Sequence, residues 1–125
     1  MNITQFKLYL ETKTSFPFYV FDDYDNYKEF ITKNKIDTKS NFGFISLSKV
    51  SNNNNKLNYV YAVSLFFVKS ANYEEDIIKI QEFIERFDRI IKNELTTANY
   101  EIFLINDANY FVIVYYLPIR GDIYV

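Results

Sequence analysis

One stretch settles most of what this chain can fold into: an apolar strand that runs, after a short polar break, into a striped helix. Over residues 57–69 the odd positions Leu57, Tyr59, Tyr61, Val63, Leu65 and Phe67 are all apolar. A period of two predicts a strand, and the β-branched and aromatic side chains favour a pleated surface over a helix. The even positions Val60, Ala62, Phe66 and Val68 are apolar as well. A strand apolar on both faces is either central and covered twice, or covered once and docked on another chain.

From Tyr73 the period changes. Tyr73, Ile77, Ile80, Ile84, Phe87, Ile91 and Leu95 recur at helical spacings, and Phe83 and Ile90 widen the stripe. Asn72 stands at the N-cap position with Glu75 three residues on. Glu74, Glu75 and Asp76 put negative charge at the positive end of the helix dipole. Acid-first pairs at i,i+4, Asp88 with Lys92 among them, run along the outer face. Ile78 falls on that polar face, which marks it as a candidate contact with another chain.

The rest of the chain reads as layers packed on this unit. Asn2 and Gln5 have the spacing of a capping box, and Ile3, Phe6 and Leu10 the stripe of a first helix ending near Thr12. Residues 16–21 read as a short aromatic strand, which Pro17 confines to an edge. Asp22, Asp23 and Asp25 follow in a turn. Residues 26–33 suit a short helix, although residues 22–39 as a whole fit either helix or loop. Residues 42–50 form a strand antiparallel to residues 57–69. Between them residues 51–56, with Asn52, Asn53, Asn54 and Asn55, read as a long hairpin tip. Residues 101–105 and 110–117 form a closing hairpin, with Pro118 ending the last strand and residues 119–125 as a tail. The expected order is α-β-(α)-β-β-α-β-β in one α+β domain over residues 1–125. Its mostly antiparallel sheet carries one long helix and an N-terminal helix.

Composition narrows the function. With 49% hydrophobic and 24% charged residues over 125 positions, the chain can build a core and is not disordered. It has no cysteine and no histidine, which removes thiolate chemistry, the commonest general base and the commonest zinc ligand. Gly43 and Gly121 are its only glycines, so a phosphate-cradling loop is absent. The cluster Asp22, Asp23, Asp25 lacks the glycine and distal glutamate of a calcium loop, and aspartate at a helix start is ordinary. The sequence therefore predicts no enzyme, no metal and no cofactor. A net charge of −2 without a basic run argues against nucleic acid as a partner. The first residues lack the apolar core of a signal peptide, and the uncharged apolar runs are too short to cross a bilayer. An intracellular protein without a membrane partner is expected. Thirteen Phe and twelve Tyr are more than a small monomer readily hides, which points to self-association.

Phe42-Gly43-Phe44-Ile45-Ser46-Leu47 matches part of the second RNA-binding signature of an RRM, and residues 16–105 give the order βαββαβ. Ser40 and Asn41 stand where that signature has a basic residue and a glycine. The segment also falls on the second strand, whereas an RRM carries it on the third. A small ferredoxin-like (βαββαβ) binding module, RNA-binding or of inhibitor or immunity type, is the alternative reading.

In layout the chain resembles the tail terminator, or tail completion, proteins of tailed bacteriophages and phage-tail-like particles. The likeness lies in the N-terminal helix and the long hairpin of residues 42–50 and 57–69. It continues in the passage through Ser70-Ala71-Asn72 straight into the long helix, and in the closing hairpin of residues 101–105 and 110–117. The resemblance implies a homo-oligomeric ring, usually a hexamer, that caps the tail tube, stops its polymerisation and connects it toward the head. Its partners would be copies of itself and the tail tube protein, with the sheath and head–tail connector as further candidates, in a virion tail assembled in the host cytoplasm. The parent particle, contractile or not, is left open. Val60, Ala62, Phe66, Val68 and Ile78 are the candidate subunit contacts, with burial inside their own chain as the competing role, and Asn52 to Asn55 form the exposed tip.

Overall fold

The computed structural model describes residues 1–22 and 26–121. Asp23 and Asp25 of the acidic cluster lie outside them, as do residues 122–125 of the expected tail. The architecture is α+β. Helix α1 (Ile3–Thr14) leads into strand β1 (Phe18–Val20), helix α2 (Tyr27–Lys33), strands β2 (Phe42–Asn53) and β3 (Lys56–Val68), helix α3 (Tyr73–Ile90), and strands β4 (Glu101–Asn106) and β5 (Tyr110–Arg120). Among the described residues the five strands form one sheet in the order β1-β2-β3-β5-β4. The β1–β2 pair is parallel and the others are antiparallel.

Local chemistry explains the helix ends. Asn2 and Gln5 close a reciprocal capping box at 2.9 Å in both directions, satisfying two backbone donors that the first turn leaves free. α1 runs one half-turn past Thr12 and stops where Ser15 turns left-handed at φ 63°. Asn72 caps α3 by accepting from the Glu75 N–H at 3.1 Å. Of the acid-first pairs on its outer face, Asp88 and Lys92 meet at 3.1 Å. After Ile90 the helix widens into a π-helical turn, Ile91–Leu95, where the Thr96 N–H bonds Ile91 O at 3.0 Å. The wider turn keeps both Ile91 and Leu95 in the core. Tyr73, at the head of the expected stripe, is exposed and meets the Phe111 ring edge-on at 5.8 Å.

β3 is central, and its two apolar faces are both used. On one face, face A, Tyr61, Val63, Leu65 and Phe67 join Phe6 and Leu10 of α1 and Ile80, Phe83 and Phe87 of α3 in the main core. On the other, face B, Phe66 stacks on Phe42 with ring centroids 4.7 Å apart, and Phe30 of α2 closes over Phe44. α2 covers one end of face B only; Val60, Ser64 and Val114 farther along stay half-buried.

Two expectations need correction. The asparagine run is not a long tip. The β2–β3 ladder continues to the Asn53–Lys56 pair, so the turn is Asn54 and Asn55 alone, at φ 52° and 63°. Two successive left-handed residues make the turn whose twist matches paired strands, and asparagine tolerates that conformation. Pro118 likewise does not end β5, which runs on to Arg120. The Asp107 N–H bonds Tyr110 O at 2.9 Å. Antiparallel pairing alternates from there, so the N-side of residues 112, 114, 116 and 118 points toward β4. β4 pairs only as far as Glu101 with Tyr116. The missing N–H of Pro118 thus faces an open margin, where proline is tolerated.

Candidate subunit interface

The margins of the sheet carry most of its exposed apolar side chains. Among the described residues β4 is the last strand of the sheet and pairs with β5 alone. Among the described residues it is left largely uncovered on both faces. Ile102 is 39% exposed, Phe103 47%, Leu104 57% and Ile105 51%, so four consecutive large apolar residues stand in solvent. The alternation set by Asp107 and Tyr110 turns the N–H and C=O groups of Ile102, Leu104 and Asn106 to the free side. Apart from Glu101 at its start, β4 has no charge, proline or bulge to blunt that edge, devices by which sheets usually guard one.

A second free edge lies across the sheet. β1 covers β2 only as far as the pair Val20–Ile45. Beyond it, among the described residues, 47–53 of β2 pair with β3 alone, and β5 backs β3 along this stretch as far as the Asn58–Arg120 pair; this margin of β2 is its arm. Leu47 and Val50 are exposed on the arm and Leu57 beside it, and a bulge between Leu47 and Lys49 bends it.

The residues singled out from sequence are spread unevenly over this surface. Phe66 and Ala62 are buried within their own subunit, Phe66 at 5% exposure among four aromatic rings. Val60 and Val68 are half-buried on the same face. Ile78 is 47% exposed. Asp88 and Ile102 line one cleft, so the flank of α3 that carries Ile77, Gln81, Ile84 and Asp88 overlooks β4, and Ile78 sits just outside it. Phe42 and Phe44, the aromatics of the RRM-like segment, lie buried under α2, unable to stack on a base. β1 and β2 are adjacent, whereas the ferredoxin-like arrangement splits its βαβ unit with an intervening strand. Ile102 to Ile105 were missed because a run apolar on both faces reads equally well as a doubly covered strand.

The acidic groups with displaced acidity act as ties between elements. Asp76 accepts from the Ser70 hydroxyl at 2.7 Å and the Ser70 N–H at 2.9 Å, bonds that hold its carboxyl below the usual range and fix the β3–α3 passage. The Tyr9 hydroxyl, then Lys13 at 3.0 Å, lower Glu94 and fasten α1 to the π-helical turn. The Tyr100 hydroxyl does the same for Asp88. Burial first, and these carboxylates second, push the Tyr9 and Tyr100 hydroxyls up. A cleft of about 770 Å³ between α2 and the β4–β5 turn is lined by Lys28, Lys39, Lys69 and Asp107 among others. Asp107 is engaged by the Asn109 N–H at 3.0 Å and the Tyr27 hydroxyl at 3.1 Å. Among the described residues no cluster of three or more acids offers a metal site, and no helix is long and apolar enough to cross a membrane.

No family model, curated protein or solved structure matches the chain.

Proposed function

We propose that this protein is a structural subunit that works by protein–protein contact, forming a closed homo-oligomeric ring that terminates the tail tube of a bacteriophage or phage-tail-like particle and links it toward the head. The observation that carries the reading is the bare edge strand β4, four large apolar side chains beside unpaired backbone groups. Such a strand is an assembly surface or an aggregation hazard. The order of elements also keeps the terminator-like layout: N-terminal helix, long hairpin, direct passage into the long helix, closing hairpin. A ring needs one patch to meet a different patch and close by rotation, and this sheet has a free edge at each end. On this reading the protein needs no catalysis, metal or cofactor, and its partners are its own copies, the tube protein and the connector. Native mass spectrometry with negative-stain electron microscopy tests it. A closed ring that caps one end of purified tail tubes is expected; a protein monomeric at every concentration and inert toward tubes would overturn it.

A further inference from the structure

We infer that the subunit contact is a strand addition in which β4 of one copy pairs with the arm of β2 on the next, joining their sheets. This deepens the ring reading and rests on it.

Polarity comes first. β2 and β5 run one way, β3 and β4 the other. A neighbour related by rotation about an axis that the strands cross obliquely, at well under a right angle, therefore presents its β2 antiparallel to β4, with face A still meeting face A. The bonding groups match too. Ile102, Leu104 and Asn106 turn theirs outward on β4. On β2 the Gly43 N–H bonds Pro17 O and Ile45 O accepts from Phe21, so those residues face the margin. Past the bulge, Lys49 pairs with Val60, Ser51 with Asn58 and Asn53 with Lys56, which leaves Val50 and Asn52 facing outward.

Overlap then selects the register. Setting Leu104 opposite Val50 and Ile102 opposite Asn52 pairs residues 101–105 with all five residues of the arm beyond its bulge. Charge agrees with this choice. Lys49 falls opposite Ile105 and diagonal to Asp107, within reach of a long side chain. Glu101 meets uncharged Asn53. The rival contact, β4 against a second β4 centred on Leu104, sets Glu101 opposite Asp107 at both ends, an unfavourable like-charge pairing.

The stagger fits closure. Through the ladder Leu104 stands level with Gly43. Val50 is seven residues on, and the bulge absorbs one. The step along the strands is thus about 20 Å, against about 19 Å for four strand spacings. The resulting tilt of about 45° lies at the upper end of the range for closed barrels.

The chain has no cysteine, so engineered thiols report the contact cleanly. Leu104 and Val50 are exposed at 57% and 52%, and opposed Cα atoms in such a pair lie about 5.5 Å apart, suitable for a disulfide. Under mild oxidation the double variant V50C/L104C should give a ladder of covalent oligomers up to the ring, while V50C and L104C alone stay unlinked. Circular dichroism checks that each variant folds. Dimers from L104C alone would show β4 pairing with itself and overturn the inference. A ring by native mass without a ladder would overturn this contact and leave the ring reading standing. A monomer with no ladder that is also inert toward tail tubes would sink both.

Discussion

Gly43 offers a sharp test of how tightly the β1 edge is packed. A Cβ built there would sit 2.3 Å from Cε1 and 2.5 Å from Cδ1 of Phe18, its partner across the β1–β2 pair. Carbon atoms pack at about 3.5–4.0 Å, so the ring must retreat by more than about 1 Å. Phe18 is fully buried on face A, stacked against Phe16, and has little room to retreat. Gly43 does not have a positive φ, so alanine would suit its backbone and should otherwise stabilise by about 0.4–1 kcal/mol through the unfolded chain. Overpacking costs about 1–3 kcal/mol and decides the sign. G43A should therefore be destabilised, read by urea unfolding with tyrosine fluorescence. F18A alone should cost about 3–5 kcal/mol. In F18A/G43A the new methyl enters the vacated space, so the double variant should be no worse than F18A. The coupling then recovers nearly the whole cost of G43A. A G43A protein as stable as the parent, or a double variant with additive losses, would refute this packing argument.

Acidification should erode stability through the tied carboxylates. Asp76, Asp88 and Glu94 have folded-state pKa values below their ordinary ones, so their contribution is present above the unfolded range near pH ~4 and is lost as pH falls through the lower folded values. Y100F should flatten that acid limb in pH-dependent denaturation, and an unchanged slope would refute the Asp88 tie. At the β2–β3 turn, N55V should cost about 1–2 kcal/mol, because valine resists the left-handed conformation that asparagine accepts, and N55G should be near neutral. Equal melting temperatures for the two would rule out the two-residue turn. F66A should cost about 3–5 kcal/mol even in a monomeric background, since Phe66 sits among Phe42, Phe44, Tyr27 and Tyr110. A loss confined to assembly would return Phe66 to the interface.

What the sequence disclosed and what it hid have different physical origins. Periodicity is local, and it located the striped helix from Tyr73, the strand through Val63 and the capped start at Asn2, because burial on one side writes itself into every second or every third and fourth residue. Turn geometry is local as well, yet four asparagines in a row conceal which two carry the positive φ. Pro118 misled for a different reason: proline forbids a bonded neighbour on one side only, and whether β4 reaches that level is settled by register. The apolar run from Ile102 to Ile105 is the deepest case. In the middle of a sheet such a strand is core; on the last strand the same side chains and the same free amides are a surface seeking a partner. Nothing within those residues distinguishes the two. The strand order does, and it follows from long-range pairing that places β5, later in the chain, between β3 and β4. The large aromatic content suggested surplus apolar surface but not where it lay. Most rings went inside, Phe66 among them, and the surface left over is largely aliphatic, with a run of four large apolar residues on the strand that the fold pushes to its margin.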